Sequence, residues 1–120
     1  MAEQNGYFTK ALNHYQQCYK IRQEVLEPNH EEISGILNNI SLVYECLNQW
    51  ELCKSYCQQS MDICRRSKDT VQNRTKLRKR EITLARHFIF LGDILSAEIL
   101  LQGVLRYFKQ EAPNWHMEAM

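Results

Sequence analysis

The chain has 120 residues, 44% hydrophobic and 24% charged, with a formal net charge of +1, an ordinary soluble profile long enough for one packed domain. Four glycines and two prolines leave little room for loops and point to a mostly helical chain. No window approaches the run of about 18 apolar residues that spans a bilayer, and MAEQNGYFTK carries no signal-peptide-like apolar stretch, so no membrane partner and a cytoplasmic location are expected.

Residues 1–6 are too few to form the first helix of a repeat. Phe8 to about Leu26 then reads as a helix with Ala11, Tyr15, Cys18 and Ile21 on its buried face. A preceding partner helix is missing from the sequence. Either the chain is a fragment or truncated relative, or that apolar face is covered by another molecule or a second copy, and self-association there is expected. Pro28-Asn29-His30-Glu31-Glu32 reads as a turn and helix start, with two glutamates complementing the N-terminal dipole.

Ile36, Ile40, Val43, Tyr44 and Leu47 fall at i, i+4, i+7, i+8 and i+11, the apolar stripe of an amphipathic helix. Asn48-Gln49 interrupts it, and Asn tolerates the left-handed backbone that ends a helix. Trp50, Cys53, Tyr56, Cys57, Met61 and Cys64 restart the stripe. So short a connection predicts two antiparallel, mutually packed helices.

From Arg65 to Arg80 the chain runs RRSKDTVQNRTKLRKR, eight basic residues against Asp69 alone. Residues 1–60 carry net −3 and residues 61–120 net +4. Three readings of Arg65, Arg66, Lys68, Arg74, Lys76, Arg78, Lys79 and Arg80 stay open. They form a solvated linker running into the next helix, a bipartite nuclear-import-like pattern, or a contact surface for acidic peptides or nucleic-acid phosphates. The sequence pI of about 7.7 and the absence of interleaved aromatics disfavour a pure nucleic-acid binder.

Leu77, Leu84, Phe88 and Leu91 carry the next stripe, Gly92-Asp93 turns the chain, and Ile94 to about Lys109 returns with Ala97, Leu101, Val104, Leu105 and Phe108 inward. Ile99, Leu100 and Tyr107 extend the apolar surface. Pro113 prevents further helix, and APNWHMEAM (112–120) reads as a loose tail.

The chain repeats itself. Ala11, Tyr15 and Cys18 share their spacing with Cys53, Cys57 and Ser60, and again with Ala97, Leu101 and Val104, at offsets of 42 and 44 residues. Ile40-Ser41-x-x-Tyr44-x-x-Leu47 matches Leu84-Ala85-x-x-Phe88-x-x-Leu91. Small residues recur where helices must approach closely, and aromatic or large apolar ones where gaps must be filled.

On these residues the chain resembles the tetratricopeptide repeat family. A period near 42, with LEPNHEEI between units, is similar to the kinesin light chain subtype. The resemblance implies an all-α antiparallel helix-hairpin solenoid of about two and a half repeats: a half repeat at 7–26, repeats at 30–67 and 71–111, then the tail. It also implies a non-catalytic scaffold or adaptor binding a peptide or protein, acidic partners included. In that family the first helix of each repeat lines a concave surface. The matching positions are Asn38, Asn39, Leu42 and Glu45, then Lys79, Thr83, Arg86 and Ile89. Asn39 and Lys79 fall where chaperone-tail-binding members keep part of a carboxylate clamp, but Thr83 stands where that clamp has Arg.

Catalytic chemistry has no foothold: there is no Gly-rich phosphate loop, no GxSxG and no HExxH. His14, His30, His87 and His116 are dispersed, and His87 reads as a half-buried surface residue. Asp62 and Glu98 read as solvent-face carboxylates. The cysteines lack CxxC spacing, and Cys18, Cys53 and Cys57 occupy packing slots, so neither metal nor cofactor is expected and the thiols suit a reducing compartment. An alternative is an assembly module of a larger protein.

Overall fold

The computed structural model describes residues 2–28 and 30–111, and the expectations for Asn29, Pro113, His116 and the 112–120 tail lie outside them. The described residues form five helices and no strand: α1 (Ala2–Val25), α2 (Glu31–Cys46), α3 (Trp50–Arg66), α4 (Val71–Phe90) and α5 (Ile94–Glu111). This is the all-α class expected, a half repeat followed by two helix pairs. The chain makes two compact units, Met1–Arg80 and Glu81–Met120. The first helix begins at Ala2, several residues before the expected start at Phe8.

In the first unit α2 packs on α3 and on α1. Short side chains set how closely α2 and α3 approach. The Ser41 hydroxyl donates to the carbonyl of Cys53 at 2.9 Å, and two turns away the Ser34 hydroxyl donates to the carbonyl of Ser60 at 3.0 Å. The Ser60 hydroxyl returns a bond to the carbonyl of Ser34 at 2.8 Å. Ser34, Ser41, Cys53 and Ser60 are all fully or almost fully buried. None of the three serines leaves an unpaired hydroxyl, so the polar groups cost little in a dry interface. Around this seam Ile36, Ile40, Tyr44 and Cys53 form one cluster and Ile33, Leu37 and Ile63 another, bridged by Tyr19 and Tyr56. The Tyr44 and Tyr56 rings stack at 5.5 Å.

α1 lays Leu12, Tyr15, Cys18 and Tyr19 on the first cluster, and Leu26, just past its end, packs on the second. The expected stripe through Ile21 is therefore rotated. Ile21 is 58% exposed, because the helix carries a second apolar stripe beside the packed one. α4 joins the first unit through its buried Arg80, whose Nε donates to the Ser60 hydroxyl at 3.1 Å while the Cys57 thiol donates to the Arg80 carbonyl at 3.4 Å.

The helix ends obey local chemistry. His30 caps α2 through Nδ1, which accepts from the Glu32 N–H at 3.1 Å, with Glu31 and Glu32 in the first turn. Thr70 caps α4 by accepting from the Asn73 N–H at 3.1 Å, and Asp93 caps α5 by accepting from the Ser96 N–H at 3.2 Å. α2 and α4 end in the same way. Asn48 N–H bonds to the Glu45 carbonyl and Gln49 N–H to that of Tyr44; Gly92 N–H bonds to Ile89 and Asp93 N–H to Phe88. Both are paired Schellman bonds around a left-handed residue, Asn48 at φ 60° and Gly92 at φ 84°.

Four further residues depart from their expected burial. Leu105, expected inward on α5, is 61% exposed, and Phe108 and Leu91 are also exposed, while Ala97 and Val104 are buried as expected. Small residues carry the packed face of α5, and its large ones flank that face. His87, expected half-buried, is fully buried. It lies in register with Asn73, Leu77, Arg80 and Leu84 on α4, a buried stripe that is more than half polar.

Two predictions follow from this packing. Gly92→Ala meets no steric obstacle yet should cost about 1 kcal/mol of unfolding free energy, because the left-handed backbone disfavours a Cβ; Asn48→Gly should gain a few tenths of a kcal/mol. Chemical denaturation of both variants checks the pair, and equal values would contradict the turn geometry. Cys53→Leu, forced into a fully buried slot against Ser41, should destabilise by about 1–3 kcal/mol through overpacking.

Candidate functional site

Burial of α2 on both sides leaves a narrow window to solvent. Asn38, Leu42 and Glu45 lie along it at i, i+4 and i+7, with Leu42 37% exposed and the other two half-buried. Asn39 is also half-buried and lies on the flank of this strip, beside Cys46. The Asn38 Oδ1 is shielded from solvent and finds no hydrogen-bond donor among the described residues. A carboxamide oxygen in that condition is an acceptor whose desolvation is uncompensated. Of the four positions expected on α2, three thus share one strip and the fourth borders it.

On α4, Lys79 and Arg86 are exposed, Thr83 is half-buried and Ile89 is exposed, at i, i+7, i+4 and i+10. Ile82 and Phe90 emerge on the same side of the helix and are 41% and 60% exposed. Sequence reasoning missed these two, although their spacing from Lys79 and Arg86 was a usable signal. Lys79 belongs to the first unit, and Thr83, Arg86 and Ile89 to the second.

The basic run does not form one surface. Arg80 is buried, so its place in the expected patch is corrected: the guanidinium is a structural donor to Ser60. Burial lowers the Arg80 pKa, and the neighbouring Cys64 and Cys57 thiols oppose that shift. Arg65 pairs with Asp62 at 3.2 Å, Arg74 with Asp69 at 2.6 Å, and Lys76 with Glu31 at 3.6 Å. Arg66 and Lys68 are exposed at the end of α3 and in the following linker, and Arg78 is half-buried. Arg66, Lys68 and Lys76 line an open cleft of about 800 Å³, but Glu27, His30 and Glu31 line it too. A cleft of mixed sign does not concentrate phosphates as a uniformly basic groove does.

Other titratable groups have structural explanations. Burial, followed by the adjacent Tyr56, raises the Tyr44 pKa, and a hydrogen bond with Gln16 opposes the shift. Asp62 and Glu98 are exposed, as expected, and Glu98 accepts from the Gln102 amide at 3.3 Å. Cys53, Cys57 and Cys64 are buried in helix–helix packing, whereas Cys46 is exposed and Cys18 half-buried. No described helix is long and apolar enough to cross a membrane.

The desolvated acceptor makes α2 a place where stability and binding oppose each other. Asn38→Ala removes it and introduces a better helix former, so unfolding free energy should rise by about 1 kcal/mol. Thermal and urea unfolding read this directly. A loss of stability would mean that the carboxamide is already satisfied.

Comparison with known proteins agrees with this architecture. The family described as tetratricopeptide repeat matches residues 1–66, which span α1, α2 and α3 and end with the last residue of α3. No curated protein matches the chain. With more than half of its length matched, and helix pairs closed by equivalent turns, the chain belongs to the tetratricopeptide repeat family.

Proposed function

We propose that this chain is a non-catalytic scaffold that binds an extended peptide or a segment of a partner protein. Its family mediates protein–protein interaction. In this reading Asn38, Leu42 and Glu45, with Asn39 at the flank, meet the peptide backbone and an apolar side chain. In the first unit Lys79 attracts acidic groups; in the second, taken by itself, Arg86 does the same beside Ile82, Thr83 and Ile89. The observation that carries the proposal is the α2 window, where a helix otherwise enclosed by its neighbours exposes Leu42 beside Asn38, whose shielded Oδ1 a rotation of the side chain would bring to a ligand. A free backbone N–H of an extended peptide is the donor such an acceptor lacks.

The kinesin light chain-like subtype is part of the proposal. Equivalent Schellman turns at Asn48 and Gly92 stand 44 residues apart, longer than the usual repeat of about 34, which supports it. A cytoplasmic setting and self-association through α1 complete the reading. The ion pairs of Arg65, Arg74 and Lys76 and the burial of Arg80 weigh against nucleic acid as the principal partner.

The test is capture of partners from cell extract, with and without nuclease, by the wild-type chain and by Lys79→Glu/Arg86→Glu. Protein partners should survive nuclease and fall at least tenfold with the charge reversal, because a charge-assisted contact becomes repulsive at both sites. Circular dichroism should show unchanged helicity, since both side chains are exposed. Undiminished capture by the variant would refute the assigned face. Partners stripped by nuclease would move the function to the basic segment.

A further inference from the structure

α1 carries two apolar stripes, of which α2 covers only one. The other consists of Tyr7, Ala11, His14, Cys18, Ile21 and Val25, whose spacing alternates four and three residues over about 27 Å of helix. Tyr7, Ile21 and Val25 are 69%, 58% and 74% exposed. Ala11 and Cys18 are half-buried at the border with the packed stripe, and His14 is exposed. This alternation is the spacing of a two-helix coiled-coil seam over about two and a half heptads, and Tyr7, Ile21 and Val25 are its exposed apolar members.

The residues beside the seam indicate what covers it. On the side away from α2 run Lys10, Gln17 and Glu24, seven residues apart and all exposed. A positive charge, a neutral amide and a negative charge in that order complement the same sequence read backwards. The seam itself has the same property. When a second α1 is laid antiparallel, Tyr7 meets Val25 of the second copy, Ala11 meets Ile21, and His14 meets Cys18. Each layer sets a larger side chain against a smaller one. Lys10 then stands beside Glu24 of the second copy, and Gln17 faces its own counterpart near the two-fold axis. A parallel pairing would set Tyr7 on Tyr7 and Ala11 on Ala11, alternating a crowded layer with an empty one, and would align the helix dipoles unfavourably. At the centre of the seam the Cys18 thiol and His14 Nε2 already approach within 3.6 Å on the same helix, so burial there does not strand either group.

We infer that this chain forms a two-fold symmetric homodimer in which the exposed stripes of two α1 helices pack antiparallel, with Lys10 of each copy paired to Glu24 of the other. The inference makes the self-association part of the proposed function specific. It is independent of the peptide-binding face, so Lys79→Glu/Arg86→Glu leaves the dimer intact. The interface is isologous, each copy supplying the same patch, which closes the assembly at two.

Sedimentation velocity across a micromolar concentration series, on the 120-residue chain, is the test. The wild type should sediment as a reversible dimer, and Ile21→Glu as a monomer. That position is exposed, so circular dichroism should show the same helicity for both. Lys10→Glu should weaken the dimer roughly tenfold in Kd, since two attractive pairs become repulsive. Lys10→Glu/Glu24→Lys should restore the wild-type constant, because the antiparallel pairing is rebuilt with its charges exchanged. A wild type monomeric throughout the series, or a dimer that survives Ile21→Glu, overturns the interface. A double variant as weak as Lys10→Glu alone overturns the antiparallel register while leaving self-association standing.

Discussion

The close approach of α2 and α3 is the constraint on which the first unit depends. Ser34 against Ser60 and Ser41 against Cys53 are pairs whose residue numbers share one midpoint, near Leu47 at the end of α2. The turn and the seam therefore specify the same register independently. The left-handed Asn48 sets where α3 must begin, and two turns of helix on either side must then bring small side chains opposite each other. A larger residue at any of the four positions would separate the helices and open a gap around Ile40 and Tyr44. The hydroxyls add direction to this fit, because each can satisfy the facing carbonyl only at one helix offset.

The same seam recruits α4. With its proton given to the Ser34 carbonyl, the Ser60 hydroxyl has lone pairs left over, and Arg80 supplies the donor. A guanidinium brought so far inside is costly unless every partner is in place. The Ser60 hydroxyl on Nε is one such partner, and the Cys57 thiol on the Arg80 carbonyl ties the backbone of the same residue to α3. Polar chemistry thus fastens α4 where the hairpin itself relies mainly on apolar burial.

That division explains what could be read before the structure was known. The hairpin was legible because Ile36, Ile40, Tyr44, Cys53 and Cys57 obey helical periodicity with apolar residues, and because Asn48 and Gly92 are side chains suited to left-handed turns. The repeat was legible for the same reason, and its two turns are equivalent bond for bond. The packed stripe of α4 was not, since Asn73, Arg80 and His87 share it with two leucines and a hydrophobicity pattern cannot register them. α1 misled in the opposite way: with apolar residues on two adjacent faces, periodicity alone could not say which face α2 would take. For the candidate site, Asn38, Leu42 and Glu45 fell on one strip as their spacing required. The basic run looked uniform in one dimension, yet helix geometry sends Arg80 inward and Lys79 outward from neighbouring positions.

Enclosure of α2 also bears on how selective a peptide-binding face of this kind would be. A window lined by few groups offers little area, so affinity cannot come from burial alone. A desolvated acceptor changes the terms of selection. A ligand that donates to Asn38 Oδ1 relieves a cost already present in the unbound protein, whereas one that places an apolar atom there seals the cost in. The exposed Lys79 of α4 acts differently. Its charge works over a longer range and hastens encounter with acidic partners more than it distinguishes among them. A scaffold built in this way separates attraction from discrimination: charge on α4 gathers acidic segments, and the hydrogen-bonding demand of α2 sorts them. Such a division would let one short helix face impose specificity while the rest of α2 remains committed to holding the hairpin together.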